Sequence, residues 1–140
     1  MLLGMYEGRL DSQGRLVIPQ RLRSGIEAGM VIARGLDGNL DVYPAEGWNG
    51  RVARLPDPES KDGRLVRRQI LASAFNAQLD GQGRIAIPLQ SRQQADITLE
   101  VVIAGQDDHF EVWSPARWQQ QLAQAENLDE VQERVRKERD

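Results

Sequence analysis

With 140 residues and a mass of 15.8 kDa, the chain has room for one ordinary domain or two very small ones. Hydrophobic residues make up 40% and charged residues 28%, the balance of a soluble folded chain; no apolar run approaches the roughly 20 residues that span a bilayer, and MLLGMYEGR lacks a secretory leader's pattern. The lack of cysteine excludes disulfides, thiol catalysis and cysteine-ligated zinc, and fits a reducing cytoplasm, while a net charge of −3 speaks at first against a nucleic-acid partner.

Residues 1–23 carry a local charge of +2 and contain the unit Asp11-Ser12-Gln13-Gly14-Arg15. The β-prone run 15–18 follows, stopped by Pro19, which cannot continue a central ladder. QRLRSG then predicts a helical turn with proline at its first position. Residues 24–50 are acidic, at −3. In them 30–33 is an apolar run, and Leu40 and Val42 alternate with Asp41 and Tyr43, the period of a half-buried strand. Residues 51–75 are basic again, at +3: 55–60 is turn chemistry, and GRLVRRQILASAFNA from Gly63 onward predicts a connecting helix.

Residues 76–92, at +1, bring a second Asp80-Gly81-Gln82-Gly83-Arg84, a second short strand, a second proline at Pro88 and a second helical turn in LQSRQQA. The acidic segment 93–118, at −4, holds the apolar run 99–104 and the alternation of Phe110 and Val112 with Glu111 and Trp113. Ser114-Pro115 is an N-cap and first-turn pair for a helix carrying Trp118, Leu122 and Ala125. Residues 119–140, at −2, end in a helix capped by Asn127, with Arg136, Lys137 and Arg139 in its last turn. Glu130 and Arg134, like Glu133 and Lys137, are four apart on it. Its apolar stripe, Leu128, Val131 and Val135, is thin, so the helix frays or needs a partner.

The chain repeats itself. RLDSQGRLVIPQRLR at 9–23 returns as QLDGQGRIAIPLQSR at 78–92, with Arg23 answered by Arg92. LDGNLDVYPAEGW at 36–48 parallels QDDHFEVWSPARW at 106–118, with Trp48 answered by Trp118 and Asn39 by His109. Each copy is only about 45 residues, near the lower limit for an independent core, so the two are expected to share one core as a pseudo-twofold dimer fused in one chain.

The repeated Asp-x-Gln-Gly-Arg turn has a physical rationale. Aspartate accepts backbone N–H groups, glycine supplies a positive φ, and arginine starts the next strand with its guanidinium reaching outward. Two such tips would put Arg15 and Arg84 on one surface, and bare glycine backbone would let a phosphate come close. Sixteen of the 18 basic residues are arginine, the side chain that forks onto phosphates and guanine edges. Charges more than about 8–10 Å apart are screened from one another, so an acidic face can coexist with this one. The competing reading is an ion pair from Asp11 to Arg15, and from Asp80 to Arg84, that merely closes each turn. Surface pairs contribute only about 0–1 kcal/mol, so stability is a weak reason for the arginines.

LDSQGRLVIP followed by QRLR, and LDGQGRIAIP, resemble the AbrB-type swapped-hairpin DNA-binding domain. Two copies joined by RRQILASAFNAQLD and closed by VVIAGQDDHFEVWSPARW resemble the MraZ family of bacterial transcriptional regulators over about residues 1–125. The resemblance implies a mainly β fold with short helices: two AbrB-like, double-psi-barrel-like repeats at 1–50 and 76–122, a linker at 51–75 and a helical tail at 123–140. It also implies a ring-shaped homo-oligomer, octamer or dodecamer, that binds direct repeats of double-stranded DNA in its own promoter, usually repressing the division and cell-wall gene cluster. Such a protein would be cytoplasmic and nucleoid-associated. The family's D-x-x-x-R loop contacts fall on Asp11 and Arg15 and on Asp80 and Arg84, with Gln13, Gly14, Gln82 and Gly83 in the same loops. Gln13 stands where such motifs often have lysine; a phosphate-anchoring cation is lost, although glutamine still hydrogen-bonds phosphate or adenine.

Other readings have less behind them. His109 is the single histidine, and no Ser-His-Asp, metal-ligand or P-loop spacing accompanies it, so no enzyme and no cofactor is expected. Asp107, Asp108, His109 and Glu111 read as a solvated acidic turn rather than a metal site, and the tryptophans as core rather than oligomer contacts. An AbrB-type antitoxin binding a partner through the tail 127–140 is the alternative function; such antitoxins are single-copy chains, whereas this one is duplicated.

Overall fold

The computed structural model describes residues 1–125 and 127–139, so Glu126 and Asp140 of the expected tail lie outside the described residues. The first copy contributes β1 (Met5–Arg9), β2 (Arg15–Val17), α1 (Gln20–Arg23), β3 (Met30–Arg34) and β4 (Leu40–Pro44). After α2 (Trp48–Ala53) and α3 (Lys61–Leu71), the second copy repeats the series as β5 (Phe75–Ala77), β6 (Arg84–Ala86), α4 (Leu89–Gln94), β7 (Glu100–Gly105) and β8 (Phe110–Trp113). The helices α5 (Pro115–Ala123) and α6 (Leu128–Arg139) follow. The fold is mainly antiparallel β with short helices, as expected.

The strands form a six-stranded sheet in the order β1-β7-β8-β4-β3-β5 and a two-stranded ribbon, β2-β6. Each copy lends its first strand to the other: β1 pairs with β7 and β5 with β3. The hairpins are therefore swapped. The register locates the pseudo-twofold axis, because on it each residue must pair with its own counterpart. Leu16 pairs with Ile85 in the ribbon and Asp41 with Glu111 where β4 meets β8, so the axis runs through both pairs.

Between ribbon and large sheet lies the shared core. Leu16, Ile18, Leu22, Leu40 and Val42 from the first copy pack with Ile85, Ile87, Ile103, Phe110 and Val112 from the second, all almost fully buried. Copies of this length could not each enclose such a cluster alone. The alternation that sends Leu40, Val42, Phe110 and Val112 inward sends Asp41, Tyr43, Glu111 and Trp113 to the outer face of the sheet. There α2 and α3 cover one flank with Trp48, Val52, Val66 and Ile70 around Ala33, and Trp118 covers the other over Val102, Ala104 and Trp113. Trp48 packs edge-on against Tyr43 and Trp118 lies tilted on Trp113, each pair with ring centroids 5.8 Å apart. Both tryptophans are packing residues.

Several local expectations change. Pro19 and Pro88 are N-caps of α1 and α4 rather than their first helical residues. The connecting helix starts at Lys61, because Ser60 caps it by accepting from Gly63 N–H at 2.8 Å, and its expected end, Phe75-Asn76-Ala77, is strand β5. Ser114 caps α5 as expected, accepting from Arg117 N–H at 3.2 Å, but Leu122 is exposed and Ala125 lies past the helix end. Asn127 accepts from Glu130 N–H at 3.2 Å at the start of α6, where Glu133 pairs with Arg136 rather than with Lys137. Among the described residues no helix is long and apolar enough to cross a membrane.

Candidate nucleic-acid interface

The two repeated turns lie at opposite ends of the short β2-β6 ribbon, each beside the exit of the other copy's strand, built alike to within a tenth of an ångström in most of their bonds. Asp11 accepts from the backbone N–H of Gln13 at 2.9 Å and of Arg15 at 2.9 Å, and from Arg15 Nε at 2.8 Å. Asp80 accepts from Gln82 N–H at 2.8 Å, Arg84 N–H at 2.9 Å and Arg84 Nε at 2.9 Å. Three donors on one carboxylate favour its charged form. The Arg15 and Arg84 backbone donors foremost hold Asp11 and Asp80 below the usual carboxylate range. Gly14 and Gly83 close the turns at φ +77° and +73°.

The turns are also tied to each other. Gly83 C=O accepts from Ile18 N–H at 2.9 Å, and Gly14 C=O accepts from Ile87 N–H at 3.0 Å. Arg84 Nη1 lies 3.6 Å from Asp11 Oδ2, a link between the copies. Because Leu16 and Ile85 point inward, Arg15, Val17, Arg84 and Ala86 share the ribbon's outer surface. The structure thus brings the two arginines onto one face, with Gln13 and Gln82 exposed at the loop tips.

Two expectations about these loops need correcting. The guanidinium groups are not free, since Nε of each is committed to the aspartate of its own loop. The arginine side chains remain 34% and 21% exposed, and the Nη nitrogens of Arg15 make no hydrogen bond among the described residues. Closing the turn and presenting a fork outward are therefore compatible. Nor is the backbone of the glycines bare. A Cβ on Gly83 would sit 2.4 Å from Arg23 Cζ, and one on Gly14 2.9 Å from Arg92 Cζ. Each glycine makes room for a guanidinium of the other copy.

Arg23 and Arg92 are the residues that sequence reasoning left out of the site. Arg23 donates Nε–H to Ile18 C=O at 2.7 Å and Arg92 to Ile87 C=O at 3.0 Å, which lays each side chain back over the opposite turn. The signal was available, since both arginines occupy matching positions of the repeat. Four arginines and two aspartates thus leave this small surface with a charge of +2, whatever the sum over the chain. A rigid, two-copy, arginine-bearing ribbon suits phosphate and base-edge contacts.

The acidic run of the second copy differs from its reading as a solvated turn. Asp107 and Asp108 are exposed, but His109 and Glu111 are partly buried and meet Asp41 of the first copy on the outer face of the sheet.

Comparison with known proteins points the same way. The family model described as "MraZ protein, putative antitoxin-like" matches twice, over residues 1–68 and 70–139. Curated relatives carry the name "Transcriptional regulator MraZ". That of Herpetosiphon aurantiacus is 43% identical over 122 residues, or 85% of each chain. That of Lactiplantibacillus plantarum is 40% identical over 138 residues, covering 96% of this chain and 98% of its own. That of Pediococcus pentosaceus is 37% identical over 139 residues, 96% of each.

Proposed function

Because this chain belongs to the MraZ family, we propose that it is a DNA-binding transcriptional regulator that contacts its site through the twinned loops of the β2-β6 ribbon. The observation that carries this reading is the pairing of two identically braced arginine turns across one axis. In it Arg15 and Arg84 reach base edges or phosphates, and Asp11 and Asp80 fix their direction through Nε. Gly14 and Gly83 let Arg23 and Arg92 lie against the turns as supports with Nη groups toward the backbone, and Gln13 and Gln82 add neutral contacts at the tips.

The finer reading is of a cytoplasmic, nucleoid-associated repressor that binds direct repeats in its own promoter as a ring-shaped oligomer. One protomer supplies few phosphate contacts, and a ring multiplies them by raising the effective concentration of each further loop pair. The exposed stripe of α6 supports an assembly. In the same chain α3, the helix that closes the first family match, is docked through Ile70, whereas Leu128 and Val135 of α6 are 62% and 47% exposed.

Fluorescence anisotropy with a duplex from upstream of the gene, against a scrambled duplex, tests the reading. Salt-sensitive, sequence-selective binding is expected, and Arg15→Ala or Arg84→Ala should each weaken it by about 1–3 kcal/mol. Undiminished binding by the double variant would remove the loops from the interface, and equal affinity for the scrambled duplex would remove the regulator.

A further inference from the structure

On the outer face of the large sheet, the fold assembles side chains that the linear sequence keeps seventy residues apart. Asp41 of β4 lies directly opposite Glu111 of β8 at the pseudo-twofold axis. Like charges in that relation repel, and Asp41 is only 7% exposed, so water does little to relieve them. His109 stands beside them, with Nε2 3.8 Å from Asp41 Oδ1. One ligand atom from each of the three residues falls within 4.8 Å of the others.

The histidine is held in a particular way. Its Nδ1 is 2.6 Å from Asp108 Oδ1, and its ring stacks on Tyr43 with centroids 4.4 Å apart and planes 9° apart. With Nδ1 engaged by Asp108, Nε2 is the ring nitrogen turned toward Asp41 and the one placed to ligate a cation there. Metal-bound histidines are oriented in this manner, by a carboxylate on the nitrogen away from the ion. The surrounding charges are net negative. Arg51 and Arg54 flank the cleft, against Asp37, Asp41, Asp108 and Glu111. Burial pushes the Asp41 and Glu111 carboxyls above their usual range.

We propose that Asp41, His109 and Glu111 bind one divalent transition ion of borderline softness, such as zinc or cobalt, across the seam between β4 and β8. One imidazole nitrogen and two carboxylate oxygens suit such ions, and are too few oxygens for calcium's six to eight. Ligands about 2.0–2.2 Å from a tetrahedral ion stand roughly 3.3–3.6 Å apart, so the 3.8 Å between His109 and Asp41 nearly meets that spacing and the trio, within 4.8 Å, contracts by up to about 1 Å on binding. Trp113 Nε1 donates to one Glu111 oxygen at 3.0 Å, fixing the carboxylate while its second oxygen stays available. Asn39 Nδ2 donates to Asp41 Oδ1 at 2.9 Å. A cleft of about 210 Å³ lined by Leu36, Tyr43 and Arg51 gives access. The ion would clamp the first copy to the second on the sheet face turned away from the arginine ribbon, so this site stands or falls apart from DNA binding.

The test is a titration of metal-free full-length protein with Zn²⁺, Co²⁺ and Ca²⁺, followed by calorimetry, thermal melting and, for cobalt, visible absorption. One zinc equivalent per chain, a raised Tm and a cobalt band are expected, with at least tenfold weaker zinc binding in His109→Asn and Glu111→Gln. Asparagine is what the first copy carries at the matching place, and glutamine still accepts from Trp113, so both variants are built to fold. Zinc binding that persists in both variants, or calcium binding equal to zinc, overturns the proposal. A Tm that no metal raises overturns it too. Should a variant not fold, the His109 ring resonances of the wild-type protein decide, and their failure to shift with zinc is fatal.

Discussion

Gly14 and Gly83 each satisfy two demands that alanine cannot. Their φ values of +77° and +73° lie where an L-residue is strained by about 1–2 kcal/mol, and the space of a Cβ is taken by an arginine of the other copy. Gly83→Ala should therefore lower stability by about that amount in urea titration, and weaken DNA binding further because Arg23 must move aside. Gly81, with nothing within 4 Å of its would-be Cβ, is the control, and Gly81→Ala should stay within about 0.5 kcal/mol. The same loops set a pH dependence. Asp11 and Asp80 have folded pKa values below the unfolded 3.8, so their stabilisation is present above that value and lost as pH falls through the lower folded one. The denaturation midpoint of the wild type should drop on acidification below about pH 4 more steeply than that of Asp11→Asn/Asp80→Asn. A parallel pH course in the two proteins would show that the carboxylate charges do not brace the turns. Of this scale, the sequence disclosed Asp11, Gly14, Arg15 and their second-copy counterparts because turn chemistry is local. It did not disclose what fills the space beside each glycine, since Arg23 and Arg92 reach it only from the other copy.

At the scale of elements, legibility follows the range of the interactions that form them. The short strands β2 and β6 and the alternating β4 and β8 were readable, because their burial pattern and the prolines after β2 and β6 are properties of the segment itself. The strands β1 and β5 were not. Met5–Arg9 holds its conformation only through pairing with β7, and Phe75–Ala77 only through β3, partners supplied by the other copy. Helix propensity in ILASAFNA therefore pointed to a longer helix, and tertiary pairing overrode it. The helices α3 and α6 show the complementary case: caps and charges made both readable, while docking of α3 was not. Ile70 is 2% exposed and sits with Ala33 and Leu55 in the flank cluster. Ile70→Ala should cost about 2–5 kcal/mol in chemical denaturation, as for other buried truncations. Val135→Ala on α6 should cost less than about 0.5 kcal/mol under dilute, monomeric conditions. A large effect of Val135 there would mean that α6 folds back onto its own chain.

For the whole molecule, the net charge of −3 is a sum over two different surfaces. Arginines of both copies gather on the ribbon, while Asp41 and Glu111 lie on the far face of the large sheet, so the total says nothing about what the ribbon meets. The remaining question at this scale is how one thin ribbon attains useful affinity, and α6 bears on it directly. Of its stripe, Leu128 and Val135 are exposed and Val131 is half-buried, and none of the three joins a core cluster among the described residues, although the N-cap and the Glu133–Arg136 pair favour a formed helix. If the stripe joins protomers, Val131→Asp/Val135→Asp should leave the fold and the contacts of a single ribbon intact but collapse the assembly. Light scattering at micromolar concentration should then show the mass fall to a small species. Affinity for DNA carrying several repeats should fall by about 10²–10⁴, while affinity for a single repeat changes little, because only the linkage between loop pairs is lost. An unchanged mass would place the protomer contacts elsewhere, and a multi-repeat affinity that fell no more than the single-repeat value would show that assembly is not what strengthens binding.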